Sequence, residues 1–401
     1  MIRVAFFYAT FPRPTETFVR RELKTLQEIG FEPVVYSIWK GNAEWNGRKI
    51  SRFSLLNLIT LIYWIPYWGW KNPHVFKKVL VELWNSSCPN LQNWNETFLA
   101  LGFALVKAKE IKSKNFDLLH GVWATMPATA VFAISQLTKT PFSMGAHAYD
   151  VFRKGGDWLL ELKFRHALFI RTSSLSTLNR IDELGVSAEK IKLIRRGLYE
   201  WPKRENFKLV NNSHLEIISV GRLVEKKGYI YQLEIVKELL ARGVPYQLKI
   251  IGDGPLKKEL KLECNRLGLQ KNVHFLGGLS QKEIGELYIN SDLFLFTGVV
   301  AKNGDRDGIP NVIPEAMSSG CLVVASKFAG ASEAFIEDVS GFSICPFETE
   351  SWVDLIEQFW NSPESFESIR KSGVKHSKEV FDVKKTANSI VSLIQKKLGC
   401  L

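Results

Sequence analysis

The sequence predicts an α/β chain of two doubly wound domains, each a parallel sheet wrapped by helices. Three observations carry this expectation. Apolar strand-like runs alternate with helical periods over residues 1 to about 200, the alternation restarts at Leu215 after the polar stretch Asn206 to Ser213, and 401 residues exceed what one core ordinarily covers.

In the first half the strand-like runs are 2–9, 32–38, 117–120, 141–145, 167–172 and 190–194, with a helical period over 15–29. In the second half they are 215–220, 246–252, 272–276, 292–297 and 321–326, and Gly228 to Ala241 has helical spacing. The domains are therefore expected at 1–207 and 208–380. A helix at 381–401 is expected to pack back across their junction. Doubly wound sheets bind ligands at the carboxyl ends of their strands, so a cleft between the domains is the expected site.

The net charge is +12 and unevenly placed: residues 1–205 hold 29 Lys and Arg against 17 Asp and Glu, whereas residues 206–401 hold 24 of each. Ten of the twelve tryptophans also lie in the first half, and basic residues mixed with Trp suit an anionic membrane surface. Nucleic acid would attract the same charge. However, the basic residues are scattered and no nucleic-acid module pattern occurs, so no nucleic-acid partner is expected.

Residues 53–70 carry no charge over eighteen positions. They make a poor membrane span, because Pro66 and Gly69 interrupt them and Ser54, Asn57 and Thr60 form a polar stripe. Next, Val75, Phe76, Val79, Leu80, Leu83 and Trp84 oppose Lys77, Lys78 and Glu82 as a second amphipathic helix. Core packing and membrane-surface contact both remain open for this region. Cys88, Cys264, Cys321, Cys345 and Cys400 are odd in number and lack a Cys-x-x-Cys pair, which argues against a disulfide framework or zinc site. With Met-Ile-Arg-Val-Ala-Phe-Phe-Tyr in place of a signal peptide, the expected location is cytoplasmic, peripheral on the inner face of the plasma membrane.

The chemistry concentrates in Gly304 to Gly320. An apolar strand precedes this run and a helix follows, so backbone NH groups and acidic side chains converge at a helix N-terminus. Asp307 and Glu315 stand eight apart, with Gly308 between them to let backbone approach a ligand. Arg222 and Lys227 lie on a glycine-bounded loop after the strand 215–220, where two cations can neutralise a diphosphate. Gly252-Asp-Gly254-Pro255 resembles half a dinucleotide fingerprint, but Pro255 and Lys257 argue for a tight turn and against an NAD site. His147 follows the strand 141–145, where it can meet a sugar hydroxyl or a reacting oxygen, and His120 ends the strand 117–120.

These residues resemble the retaining glycosyltransferases of family 4. The resemblance rests on Val220-Gly-Arg-Leu with Lys227-Gly228, Ile251-Gly-Asp-Gly-Pro255, Val273-His-Phe-Leu-Gly277 and above all Asp307-Gly-Ile-Pro-Asn-Val-Ile-Pro-Glu315-Ala-Met-Ser-Ser-Gly320. Pro14-Thr-Glu-Thr-Phe-Val and Ala146-His-Ala-Tyr-Asp-Val151 add weaker likenesses. The resemblance implies a GT-B architecture, two Rossmann-like domains facing a cleft. It also implies transfer of a sugar, with retention, from a UDP- or GDP-sugar to a glycan or lipid-linked acceptor in surface polysaccharide assembly.

Carried onto this chain, it implies that Arg222 and Lys227 hold the diphosphate, that Glu315 binds the ribose, and that His147 and Asp307 act at the sugar. Asn311, Val312, Ile313, Gly308, Gly252 and Thr15 would complete the donor site. Asp307 stands where the family usually has glutamate, one methylene longer. The family's Asn-Gly-Val-Asp appears as Arg196-Gly197-Leu198-Tyr199, without an assigned role. Asp305-Arg-Asp307 also reads as a metal motif, but the nearby cations supply the charge, so no metal or other cofactor is expected. Two rival readings stand beside transfer: a nucleotide-sugar epimerase of the same fold, and a non-catalytic glycan- or nucleotide-binding homologue.

Overall fold

The computed structural model describes residues 2–13, 16–153, 156–199, 202–328 and 330–399. They form two compact units, Met1–Arg195 with Val383–Leu401, and Arg196–Asp382.

The first unit is built on strands β1 (Val4–Tyr8), β2 (Val34–Ser37), β5 (Ser51–Arg52), β6 (Leu118–Gly121), β7 (Phe142–Gly145), β8 (Ile170–Thr172) and β9 (Ile191–Leu193), in the order β5-β2-β1-β6-β7-β8-β9 and all parallel. A two-residue hairpin, β3 (Glu44–Trp45) and β4 (Arg48–Lys49), precedes β5 and turns at Asn46-Gly47, both at positive φ, as a tight turn of this twist requires. Strands covered on both faces must be apolar throughout, which is why Val4-Ala-Phe-Phe-Tyr is buried at every position. Phe7 stacks on Tyr36 at 4.7 Å, and burying such a ring contributes about 2–3 kcal/mol. The helix Leu91–Ser113 starts at Asn90, whose side chain accepts from the Asn93 NH at 3.0 Å, and lies along the buried helix Met126–Thr138.

The second unit carries β10 (Leu215–Val220), β11 (Tyr246–Ile251), β12 (Val273–Gly277), β13 (Leu293–Phe296), β14 (Leu322–Ser326) and β15 (Phe342–Ile344), ordered β12-β11-β10-β13-β14-β15 and all parallel. The winding reverses between β10 and β13. That is the switch point at which doubly wound sheets hold ligands.

The divide falls at 195/196 and 382/383, whereas the sequence placed it at 207/208 and 380/381. Asp292, fully buried, explains the first shift: it accepts from the Val210 NH at 2.9 Å and the Glu216 NH at 3.2 Å and pairs with Arg204 at 3.3 Å, tying residues 204–216 to the second sheet. Packing explains the other. The helix Val383–Lys397 lies against Thr17–Glu28 and puts Ala387, Ile390 and Ile394 into a core with Val4, Phe6, Val19, Leu23 and Leu26.

Residues 53–70 form a 3-10 turn, Leu55–Thr60, and a helix, Leu61–Lys71, with Pro66 inside it. The polar residues serve the turn: Ser54 accepts from the Leu56 NH at 3.3 Å, and Thr60 donates to the Asn57 carbonyl at 2.6 Å. The next helix is Pro73–Asn85. Only Trp68 in the first helix, and Val75 and Val79 in the second, are buried, so core packing covers a narrow stripe. Among the described residues no helix is long and apolar enough to cross a membrane.

Candidate functional site

In the second unit the site grows from the carboxyl ends of β10 and β13, which pair side by side through Ile217–Leu293 and Ile218–Phe294. After β10 the chain makes a 3-10 turn, Glu225–Lys227, and enters the helix Tyr229–Ala241 through Gly228 at φ 65°. Only glycine fits there, since a Cβ would stand 1.9 Å from the Thr297 carbonyl oxygen. Thr297 in turn donates its hydroxyl to the Gly228 carbonyl at 2.8 Å, and the Val299 NH donates to the Lys226 carbonyl at 2.9 Å. The loop after β10 is thereby seated on the loop after β13.

That seating brings four charges together. Lys227 Nζ lies 2.7 Å from the Asp307 carboxylate and 5.0 Å from the centre of the Phe296 ring, while Lys226 Nζ stands 3.1 Å from Asp305 and 3.4 Å from Asp307. Burial would raise the Asp307 carboxyl, but Lys227 and Lys226 outweigh it and hold it below the usual carboxylate range. Burial likewise opposes the charge on Lys226, and Asp307 and Asp305 restore it, so its ammonium is held above the ordinary lysine value. Arg222 is exposed on the same loop. The arrangement is a partly covered, internally neutralised ion cluster, and an incoming anion would compete with Asp307 for Lys227.

The helix Val312–Ser319 begins beside it, with Asn311 at its N-terminal boundary. The Ile313 NH is taken by the Pro310 carbonyl at 3.0 Å and Pro314 has no NH, so Asn311 and Val312 offer the amides suited to an anion. Glu315, in the first turn, is 6% exposed. The far end is fixed by Arg370, buried and donating to the Gly320 carbonyl at 2.9 Å and the Phe207 carbonyl at 2.7 Å. Burial lowers its guanidinium to about 10.

Three further features shape this part of the site. Gly252 belongs to a close contact between loops: at φ 137° its missing Cβ leaves room for the Gly221 carbonyl oxygen, 1.9 Å from where that atom would sit. Asp307, which the resemblance assigns to the sugar, is engaged by Lys226 and Lys227. Lys226, to which the resemblance gives no role, joins Lys227 in the cluster through Asp305 and Asp307, and the doubled Lys226-Lys227 is its sequence signal. Thr15 lies outside the described residues. Arg196 to Tyr199, without a role in the sequence reading, includes buried Leu198, whose NH donates to the Phe381 carbonyl at 2.5 Å.

In the first unit, His147 follows β7 and opens the short helix Ala148–Phe152. Its Nδ1 stands 3.2 Å from the Ser173 hydroxyl, and the Trp123 ring meets it edge-on at 5.2 Å. Asp150 accepts from the NH groups of His147 at 3.2 Å and Ala124 at 3.1 Å, and burial raises its carboxyl to about 7. Ala124 is held from its other side: Lys163, fully buried, donates to its carbonyl at 2.5 Å, to Thr129 at 3.1 Å and to Asp157. Asn93 completes Asp157 with a bond of 3.0 Å. A continuous polar chain therefore runs from Asn93 through Asp157, Lys163, Ala124 and Asp150 to His147.

His120 has a different setting. It is 6% exposed, bonded through Nδ1 to Ser143 at 2.8 Å and packed on Phe6 at 5.0 Å, and burial, helped by Arg171, lowers it to about 3. A histidine depressed in the fold contributes stability that is complete above about pH 6.5 and lost as pH falls toward 3. Asp150 is raised, so its contribution is complete below about pH 4 and is lost as pH rises through 7. His120→Gln keeps a partner for Ser143 and is expected to flatten the acid side of the melting-temperature profile. An acid slope equal to that of the unsubstituted protein would count against this origin.

Residues 202–376 match the family model of glycosyl transferases group 1. Over that stretch the second unit is similar to the group 1 glycosyl transferases. The matched stretch includes the ion cluster, the helix with Glu315 and its Arg370 clamp. Over most of the chain a curated relative is the amylovoran biosynthesis glycosyltransferase AmsK of Erwinia amylovora, 27% identical over 358 residues, covering 85% of this chain and 86% of that protein. Among solved structures, HepE of Anabaena in complex with UDP superposes with a TM-score of 0.71 at 17% identity, covering 99% of this chain and 100% of that one. Sucrose-phosphate synthase of Thermosynechococcus elongatus gives 0.76 at 13% identity, with both chains covered in full at 100%. At these identities the structural likeness speaks for the fold, which is GT-B, with a Rossmann-like sheet in each unit.

Proposed function

We propose that the protein is a retaining glycosyltransferase that moves a sugar from a nucleoside diphosphate sugar to a glycan or lipid-linked acceptor in surface polysaccharide assembly. The observation that carries the reading is the cluster of Lys226 and Lys227 with Asp305 and Asp307 at the switch point, beside the helix opened by Asn311. The relative named for amylovoran biosynthesis supports the polysaccharide context, and HepE, solved with UDP, supports UDP as the first nucleotide to try.

In this reading Arg222, Lys227 and the amides of Asn311 and Val312 neutralise the diphosphate, and Glu315 accepts from the ribose hydroxyls. The bond between the anomeric carbon and the β-phosphate oxygen breaks, and the electron pair leaves with the diphosphate. The acceptor hydroxyl oxygen bonds to the same face of the sugar, and its proton passes to the departing phosphate oxygen. Fixed cations stabilise that charge without reorganising during the reaction. His147 and Asp307 are assigned to the sugar. Arg222 and Lys227 supply the positive charge that a divalent ion would otherwise give, so no metal requirement is proposed.

The test is a panel of UDP- and GDP-sugars assayed for nucleotide release, with and without an acceptor glycan or its lipid-linked form, in the presence of chelator. Release that depends on acceptor and survives chelation, with an α-configured product from an α-configured donor, is expected. Release equally fast without acceptor would point to the epimerase reading, and nucleotide binding without release to a non-catalytic homologue.

A further inference from the structure

Half of the large apolar side chains that the described residues expose lie within one stretch of the first unit, between Leu56 and Phe98. Ile62 is 82% exposed, Trp70 85% and Trp84 90%, with Leu56, Ile59, Tyr63, Leu80, Val81 and Trp94 also open. Scattered apolar residues on a surface need no explanation, but this density does. Leu80, Val81 and Trp84 share one face of the helix Pro73–Asn85, three and four residues apart, while Val75 and Val79 hold the opposite stripe against the body. Trp68 does the same for the helix Leu61–Lys71, donating its indole NH to the Leu105 carbonyl at 2.8 Å.

Charge selects the occupant. Between residues 53 and 113 there are six lysines against three glutamates. Each glutamate is engaged locally: Glu82 by Arg165 at 3.1 Å, Glu96 by Gln92 at 2.7 Å, and Glu110 by Lys107 at 2.7 Å and Lys114 at 2.8 Å. Lys71 and Lys77 are exposed, and Lys71 reaches the Tyr67 hydroxyl at 3.1 Å, with Lys109 6.0 Å from the same ring. Exposed indoles flanked by ammonium groups with few free carboxylates fit the boundary of an anionic bilayer, where the rings enter the interface and the lysines meet lipid phosphates. A second copy of the chain would bring the same excess of positive charge against itself.

We propose that the helices Leu61–Lys71 and Pro73–Asn85 form a docking face for anionic lipid bilayers, with Trp70 and Trp84 as inserted anchors and Lys71 and Lys77 as phosphate contacts. The surface reading does not rest on the sugar-transfer reading and would survive its failure. The full chain is mixed with vesicles of phosphatidylglycerol and phosphatidylcholine, or of phosphatidylcholine alone, at low salt.

Binding to the anionic vesicles and quenching of tryptophan fluorescence by brominated lipid are expected, both reduced on zwitterionic vesicles. Each lysine is worth about fivefold, so Lys71→Gln with Lys77→Gln should weaken binding about 25-fold. Trp70→Ser with Trp84→Ser should remove most of the brominated-lipid quenching. Absence of binding by the unsubstituted chain, or binding unchanged in both double variants, overturns the proposal. So does a dimer that the tryptophan variants dissociate while vesicle binding is absent.

Discussion

Lys227→Ala is expected to lower turnover about a thousandfold, the scale of losing one preorganised donor to a developing oxyanion. Stability should move little, with the melting temperature shifting by about 2–4 °C. The reason is local: when Lys227 is removed, Asp307 still has Lys226 at 3.4 Å, so no buried carboxylate is left without a counter-charge. Arg222→Ala, at an exposed position, should lose a comparable factor with still less effect on folding. Asp307→Asn separates the two parts of the cluster. It releases Lys227 from its carboxylate, so UDP should bind more tightly while transfer falls. Initial rates, UDP titration calorimetry and thermal melts measure all three. Turnover of Lys227→Ala or Arg222→Ala within tenfold of the unsubstituted protein would remove these cations from the leaving-group role.

Lys163→Met should destabilise the first unit by about 3–5 kcal/mol, the range for breaking a buried ion pair from one side. Lys163 has no solvent exposure and Asp157 is 5% exposed, so Asp157 would be left with Asn93 at 3.0 Å and the longer-range charge of Arg153, with its directly paired cation gone. The Ala124 carbonyl would lose its donor too. Lys163→Met with Asp157→Leu removes both charges and should recover most of the loss, so a double-mutant cycle in denaturant isolates the pair. A single variant within about 1 kcal/mol of the starting stability would mean that the pair does not hold this region. Because the same chain of bonds ends at His147, the single variant should also lower turnover at temperatures where the unit remains folded.

The strands that the sequence announced most plainly are those buried on both faces. Val4-Ala-Phe-Phe-Tyr and Leu215-Glu-Ile-Ile-Ser-Val are nearly continuous apolar runs, and each appears within two residues of its expected place. The edge strands β5 and β15, two and three residues long, have no buried position, so no buried apolar run marks them. The domain divide was misplaced for a different cause: a polar linker looks alike whether it is loose or stapled, and the staple, Asp292, is some eighty residues away. The same limit applies to the site. Arg222, Lys227, Asp307 and Glu315 were legible as motif residues, but the pairing of Asp307 with two lysines across the switch point depends on the seating of Gly228 beneath Thr297. The buried chain from Asn93 to His147 had no signal in sequence spacing at all.

The helix Val383–Lys397 has one more consequence, which concerns the order in which the chain is made. It completes the core of the first unit, yet the whole second unit, Arg196–Asp382, is synthesised before it. At about 5–20 residues per second, roughly 10–40 s separate the emergence of Arg195 from that of Val383. During that interval the second unit has every residue it needs to fold, while the helix Thr17–Glu28 still lacks Ala387, Ile390 and Ile394. The unit that is begun first on the ribosome is therefore the one finished last, and its open apolar seam is where a nascent-chain chaperone would be needed.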